Sequence, residues 1–235
     1  MWNALLTEGL WDGEIWNRRK NGAVYPAMLS IRAVRGPGGA VLKYFSVLRD
    51  ITDLKRNERE INYRAYHDPL TGLPNRLLFK DRLSRALLLT RRTKATTALL
   101  YLDLDGFKAV NDTMGHHAGD LLLQGVAMRL SSAVRDEDTV ARLAGDEFTI
   151  ILERVASRQC VEDIAGRVRE SVTGEFDYHG VPISVTASVG VALCPDDSEE
   201  IEPLIKRADA AMYAAKQRGK NVVVFYGDIA SQAEG

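Results

Sequence analysis

The pattern of hydrophobic and polar positions changes along the 235 residues of this chain. Residues 1–50 hold three short β-rich runs, which the turn-forming pairs Asn21-Gly22 and Gly38-Gly39 separate. Three antiparallel strands bury little apolar surface by themselves. We therefore expect residues 1–50 to form part of a domain.

Residues 51–68 are rich in charged side chains and lack Gly and Pro. Leu54, Ile61 and Ala65 form a thin apolar stripe at helical spacing. The pattern predicts a linker helix, and pairing with its copy in a dimer is one use for such a stripe. Helix-breaking residues then mark a domain boundary, namely Pro69, Gly72 and Pro74.

Helical and strand patterns alternate from residue 69 to residue 228, and residues 229–235 form a tail. Period-2 alternation, as in VPISVTASVGVAL, predicts strands, and apolar residues three and four positions apart predict helices. The predicted helices span 76–92, 119–134, 159–172 and 201–217, and the predicted strands span 96–104, the two arms of a hairpin over 139–152, 181–193 and 222–226. Because hairpins and crossover helices are mixed, this order predicts an α+β fold, a five-stranded mixed sheet flanked by helices.

The composition is that of an ordinary globular protein, with 46% hydrophobic and 27% charged residues. The 31 Lys and Arg balance the 32 Asp and Glu, so the overall charge favours neither nucleic acid nor a membrane as a partner. The chain has no run of about 18 apolar residues, and its two cysteines form no CxxC pair. We therefore expect reduced thiols in the cytoplasm, which is compatible with a membrane tether elsewhere in a longer parent protein.

Carboxylates stand at the ends of two predicted strands. Asp103 and Asp105 follow the apolar run ALLYL, and Asp146 and Glu147 lie at the tip of the hairpin TVARLAGDEFTIIL. If the two strand ends are neighbours in the sheet, four acids converge, and hard oxygen ligands of this kind suit Mg²⁺. Zinc is disfavoured because the His and Cys residues lack ligand spacing. The alternative is a pair of ordinary solvated strand ends.

Groups that bind phosphate lie close to these acids in the sequence. Lys108 follows the first acidic turn, and Lys216 and Lys220 end the last helix. Gly106 and Phe107 offer backbone N–H groups to phosphate oxygens. Phosphoryl transfer needs this combination of metal-binding acids, lysines and free N–H groups. Taken singly, each lysine is typical of a surface residue.

Six motifs together resemble the GGDEF family, the diguanylate cyclases. They follow the family's order and spacing between residues 66 and 226: HDPLTGLPNR, YLDLDGFKAVND, GHHAGD, RLAGDEF, SVGVAL and ADAAMYAAKQRGKN. The resemblance implies a five-stranded mixed sheet flanked by helices, as in nucleotide cyclases and polymerase palms. It also implies an enzyme that joins two GTP molecules into cyclic di-GMP and releases pyrophosphate, with one GTP on each protomer of a homodimer.

The resemblance assigns roles to particular residues. Asp103 and Asp146 would bind Mg²⁺, with Mn²⁺ as an alternative, and the carbonyl of Leu104 would assist. Glu147 would contribute to a second metal site or activate the ribose 3′-hydroxyl. The phosphate-binding groups would be Phe107, Lys108, Lys216 and Lys220, and the groups that read guanine would be Asn111 and Asp120.

The proposed base readers make physical sense. A carboxylate accepts from both N1–H and the 2-amino group of guanine, whereas adenine offers no such pair of donors. We therefore expect a buried Asp120 that favours GTP over ATP. Without the resemblance, Asn111 is typical of a turn and Asp120 of an acid near a helix N-terminus.

Two further segments resemble known elements. The tetrapeptide RDED matches the family's RxxD inhibitory site in its position before the signature hairpin, which would place cyclic di-GMP on Arg135 and Asp138. The alternative there is an exposed loop with a local ion pair of little energetic value. Residues 1–50 are similar to the C-terminal strands of a PAS domain.

The signature departs from the family pattern at Ala144, where Gly is usual. A methyl group there lies near the expected phosphates and makes a positive φ costly. Lys220 stands where Arg is frequent, and it lacks the bidentate fork. Three functions stay open: an active cyclase, a catalytically silent receptor for GTP or cyclic di-GMP, and a dimerising scaffold. The intact set of acids, Asp103, Asp146 and Glu147, favours the first.

Overall fold

The computed structural model describes residues 1–233, apart from the side chains of Arg59 and residues 231–233. It forms two compact units, Met1–Arg64 and a second unit that begins at Ala65. None of the described helices is long and apolar enough to cross a membrane.

The first unit is a three-stranded antiparallel sheet with one helix before it and one after it. Its elements are α1 (Trp2–Thr7), β1 (Leu10–Arg18), β2 (Val24–Arg35), β3 (Val41–Asp50) and α2 (Thr52–Tyr66). The strands pair in the order β1-β2-β3, and they correspond to the three β-rich runs of the sequence. Among the described apolar side chains of this unit, Leu5, Ala27 and Ile51 are the buried ones. The core is therefore small, and the likeness to a PAS domain stays a prediction.

The second unit is built on a mixed sheet with the strand order β5-β6-β4-β8-β7, and β9 pairs with β8. Only the β8–β9 pair is parallel among the described pairs. The elements are α3 (Arg76–Thr93), β4 (Thr96–Asp105), α4 (Phe107–Met114), α5 (His116–Ala133), β5 (Thr139–Ala144), β6 (Glu147–Val155), α6 (Arg158–Val172), β7 (Gly174–Tyr178), β8 (Val181–Cys194), α7 (Ile201–Gln217), β9 (Val223–Phe225) and α8 (Tyr226–Ala233). The predicted α+β fold is confirmed.

The sheet has six strands rather than the predicted five. The additional strand is β7, which forms a hairpin with β8 around Gly180, a residue with a φ of +84°. The sequence pattern missed it because β7 is only 5 residues long and carries two apolar positions, Phe176 and Tyr178. A short amphipathic strand of this kind has too few repeats for its period to be recognised.

The central strand β4 separates two apolar cores by simple alternation. Leu100 and Leu102 face the core that α5 and α6 cover, and Leu99 and Tyr101 face the core that α3 and α7 cover. Because successive side chains point to opposite faces of a strand, Asp103 and Asp105 continue the second of these two rows. The alternation thus carries both carboxylates to the α3/α7 face.

The helices of the second unit differ from the sequence prediction in three places. Helix α4 was not predicted, and Asn111 therefore lies in a helix rather than in a turn. Helix α5 begins at His116, three residues before its predicted start at position 119. Helix α8 covers most of the predicted tail 229–235, and residues 234 and 235 lie outside the described part of the chain.

Candidate active site

The two acidic strand ends are neighbours in the sheet, as the sequence required. Asp103 of β4 and Glu147 of β6 are directly opposite each other in the antiparallel ladder. Asp146 lies between β5 and β6 in a tight turn, where Gly145 has a φ of +51° that a side chain would oppose. Ala144 lies outside the left-handed region, so its methyl group adds no backbone strain.

Asp103 is largely enclosed, with 14% of its side chain exposed. Burial raises the pKa of the Asp103 carboxyl, and the nearby charge of Asp146 raises it further. Lys216 opposes this rise, because its Nζ lies 2.7 Å from Asp103 Oδ2. The lysine therefore supplies part of the positive charge that the acid pair needs.

Asp105 lines the same cleft as Asp103 and Asp146, but it differs from them in its hydrogen bonds within the protein. Its Oδ1 accepts a hydrogen bond from Ser188 Oγ at 2.8 Å. Its Oδ2 accepts from Thr186 Oγ1 at 2.8 Å and from the backbone N–H of Asn221 at 3.2 Å. Both oxygens of Asp105 are therefore engaged by the protein, and its part in holding a metal stays a prediction.

Tyr101 is a site residue that sequence reasoning missed. Its hydroxyl donates to Glu147 Oε2 at 3.2 Å, while the side chain as a whole is buried. Burial and the charge of Glu147 raise the pKa of Tyr101, so the hydroxyl stays protonated and remains a donor. The signal was available, since position 101 lies on the same strand face as position 103.

The phosphate-binding groups surround one cleft. Its volume is about 470 Å³, and its lining includes Asp103, Leu104, Phe107, Lys108, Asp146, Lys216 and Lys220. Gly106 has a φ of +86° and turns the chain directly into α4. The first N–H groups of α4 therefore have no intrahelical partner and are suited to bind an anion.

The two predicted base readers lie on neighbouring helices. Asn111 on α4 packs against α5 so closely that a Cβ on Gly119 would stand 2.0 Å from Asn111 Oδ1. Gly119 is thus required for this contact, and Asp120 is the next residue of α5. The side chain of Asp120 is exposed, so the expected burial of this carboxylate is wrong for the protein alone.

Arg142 holds the signature turn from outside, and sequence reasoning did not select it. It donates from Nε to the carbonyl of Gly145 and from Nη1 to Asp68 Oδ1, both at 2.9 Å. Asp68 also accepts from the N–H and the hydroxyl of Thr71. The loop after the linker is therefore tied to the turn that carries Asp146.

The predicted inhibitory residues lie on a separate loop before β5. Asp138 accepts from the backbone N–H of Arg135 at 3.1 Å and from that of Glu153 at 3.2 Å. Burial raises the pKa of the Asp138 carboxyl, and these N–H groups oppose the rise. The guanidinium of Arg135 is mostly exposed, with a long contact of 3.5 Å to Glu137. Arg135 is therefore accessible, whereas Asp138 also stabilises its own loop.

No three His, Cys, Asp or Glu side chains of the described residues form a metal centre by themselves. The acid pair Asp103 and Asp146 fits a cation that takes few protein ligands and fills its shell with water and phosphate oxygens. Mg²⁺ behaves in this way, and the carbonyl of Leu104 lines the same cleft.

Comparison with known proteins identifies the family of this chain. Residues 65–222 match the model of the family described as "Diguanylate cyclase, GGDEF domain". Over 175 residues, 74% of this chain, the sequence is 43% identical to MucR of Pseudomonas aeruginosa, a bifunctional diguanylate cyclase and cyclic di-GMP phosphodiesterase. It is 38% identical over 168 residues, 71% of the chain, to the diguanylate cyclase TpbB of the same organism.

Solved structures of GGDEF domains share the fold. The GGDEF domain of TpbB superimposes with a TM-score of 0.67 at 38% identity, covering 68% of this chain and 94% of that one. The coiled coil and GGDEF domain of DgcB from Caulobacter crescentus, in complex with c-di-GMP, gives a TM-score of 0.67 at 30% identity and covers 74% and 93% of the two chains. The matched region is 25% of MucR and 39% of TpbB, so this chain spans well under half the length of these relatives.

Proposed function

The chain belongs to the GGDEF family of diguanylate cyclases, and on this premise we propose that it joins two GTP molecules into cyclic di-GMP and releases pyrophosphate. The observation that supports this best is the meeting of Asp103, Asp146 and Glu147 at one edge of the sheet, beside a cleft lined with lysines. A silent receptor has no need for this complete set of acids.

The divalent ion in this proposal is Mg²⁺, with Mn²⁺ as the substitute. Asp103 and Asp146 would hold it, the carbonyl of Leu104 would assist, and Glu147 would reach a second ion or the ribose. When bound, the ion would supply positive charge to offset the charge that develops on the phosphate oxygens. Lys216 supports the same site through its contact with Asp103.

The remaining groups position the nucleotide. Lys108, Lys216 and Lys220 bind the triphosphate together with the first N–H groups of α4 around Phe107. Asn111 and Asp120 read the guanine edge, and the exposed Asp120 becomes covered when the base binds. When the base covers this carboxylate, the carboxylate loses its hydrogen bonds to water. Binding is favourable only if the base replaces them with its own donors, as guanine does, and this is the reason for expecting a preference for GTP.

The reaction needs two chains. In each half-reaction the 3′-hydroxyl oxygen of one GTP attacks the α-phosphorus of the other and forms a new O–P bond. The bond between that phosphorus and the oxygen bridging to the β-phosphate breaks, and pyrophosphate leaves. Glu147 takes the proton of the attacking hydroxyl while Tyr101 holds its other oxygen. The cleft around Asp103 and Lys216 would hold one GTP, so two protomers face each other in a homodimer. GTP is supplied in the cytoplasm, where we place the domain.

The feedback part of the proposal concerns Arg135. Its accessible guanidinium suits O6 and N7 of a guanine in the product, with Asp138 beside it. Product bound there holds two protomers apart and slows the reaction without competing for the GTP cleft.

The test of the proposed activity is to incubate the purified chain with GTP and Mg²⁺ and to quantify cyclic di-GMP by chromatography. We expect product in the wild type, none with a chelator, and none in a folded Asp146→Asn variant. Mn²⁺ should restore activity to the chelated wild type. Full activity in Asp146→Asn, or nucleotide binding without any product in the wild type, would contradict the assignment as a cyclase.

A further inference from the structure

The segment that carries Lys220 has an unusual backbone conformation. Gly219, Lys220 and Asn221 follow α7 in succession with φ values of +106°, +65° and +49°. Gly adopts a positive φ freely and Asn does so more readily than most residues, whereas Lys rarely does. This segment lies directly between α7 and β9, at the edge of the cleft that Lys220 lines.

Contacts from α6 with its C-terminal cap and from β4 hold Asn221 in this conformation. Its carbonyl accepts from Arg169 Nη1 of α6 at 3.1 Å, and its side-chain oxygen accepts from Thr173 Oγ1 at 3.4 Å. Its N–H donates to Asp105 Oδ2 at 3.2 Å. The backbone N–H of Lys220 donates a hydrogen bond to the carbonyl of Ala215 at 3.1 Å, which caps the C-terminus of α7.

Asp105 is the one of these partners that also lines the cleft. Ser188 and Thr186 of β8 fix its carboxylate on the other side, each at 2.8 Å. The carboxylate therefore joins two structural elements: the central sheet, and the segment from which Lys220 projects. None of its bonds requires a nucleotide or a metal to be present.

We propose that Asp105 is a positioning residue that fixes the Lys220–Asn221 segment in its left-handed conformation and thereby directs Lys220 toward the triphosphate. This inference rests on one part of the proposed function, namely that Lys220 binds phosphate. It separates Asp105 from Asp103, although the two acids share a strand face and are two positions apart. In this proposal Asp103 binds the metal ion, whereas Asp105 holds the Lys220–Asn221 segment in place.

A thermodynamic cycle with a non-hydrolysable GTP analogue tests this role. The analogue's affinity is measured by calorimetry for the wild type, Lys220→Ala, Asp105→Ala and the double variant. Loss of the charged contact of Lys220 should weaken binding about tenfold. If Asp105 acts through Lys220, Asp105→Ala should weaken binding by a similar factor and the double variant should be no weaker than Lys220→Ala alone.

A conservative variant controls for loss of folding. In Asp105→Asn the amide oxygen is able to accept from Asn221 while the NH₂ group donates to Ser188, whose hydroxyl both donates and accepts. Asp105→Asn should therefore bind the analogue nearly as well as the wild type. Affinity losses that multiply in the double variant would overturn the proposal, and so would a tenfold loss in Asp105→Asn with an unchanged melting temperature. If the wild type itself fails to bind the analogue, the proposed function fails along with this inference.

Discussion

Replacement of Arg142 by Lys tests whether one side chain holds the catalytic turn in place. Arg142 spans two acceptors, the carbonyl of Gly145 and the carboxylate of Asp68. Lys carries a single ammonium group on a flexible stem, so it keeps the charge but cannot make both bonds in the same geometry. The turn that carries Asp146 then loses its tie to the preceding loop.

The size of the effect follows from the burial of the pair. Only 11% of the Arg142 side chain and 19% of the Asp68 side chain are exposed, so solvent weakens this ion pair little. A hydrogen bond to a charged group contributes about 1.5–3 kcal/mol, and the Lys variant retains part of the attraction, so we expect a loss of about 1–2 kcal/mol. For a domain of this size, that loss lowers the Tm by about 2–8 °C.

Activity should fall more than stability. A catalytic group displaced by about 1 Å costs up to roughly a hundredfold in rate, so we expect kcat for cyclic di-GMP formation to fall at least about tenfold. The KM for GTP should change little, because the lysines of the cleft are untouched.

Arg91→Lys is the matched control for this variant. Arg91 pairs with Glu199 at 3.1 Å, but about half of each side chain is exposed, with values of 49% and 54%. The same substitution there should alter neither Tm nor kcat appreciably. If Arg142→Lys behaves like Arg91→Lys in both measurements, the turn does not depend on this tie and the reasoning is refuted.

The ion pair of Arg142 and Asp68 should make the stability of the protein depend on pH in the acid range. Burial raises the pKa of Asp68, but hydrogen bonds from Thr71 and Arg142 outweigh it, so the net pKa lies below the ordinary value. The stabilisation is complete above the unfolded aspartate pKa of about 3.9 and is lost as the pH falls through the lowered folded value. The Tm difference between wild type and Asp68→Asn should therefore be constant near neutral pH and shrink below about pH 4.

Three further variants test separate parts of the site. Tyr101→Phe removes only the donor to Glu147, so kcat should fall by up to about tenfold at an unchanged KM, and equal kcat would exclude an orienting role. Asp120→Ala should reduce the preference for GTP over ATP, measured as a ratio of kcat/KM, whereas an unchanged ratio would contradict guanine reading. Arg135→Ala should keep the initial velocity but remove the slowing as product accumulates, and identical progress curves in both proteins would leave that loop without an inhibitory role.

The elements with a clear period, and the faces on which their residues lie, were accessible from the sequence. Alternation along VPISVTASVGVAL and the spacing of apolar residues in the helices report on burial, which is a local property of each element. The same alternation places Asp103 on one definite face of its strand. The signature turn was equally readable, because Gly145 marks a backbone position that other residues avoid.

The partners of each acid were decided only by the tertiary structure. Asp103 and Asp105 have the same local pattern, but β8 presents Ser188 and Thr186 to Asp105, while α7 presents Lys216 to Asp103. These neighbours depend on strand order and on where α7 crosses the sheet, and no local period encodes either. The tie from Arg142 to Asp68 spans 74 positions for the same reason. A residue's type and period reveal which face it occupies, whereas its partner across that face is set by the packing of distant segments.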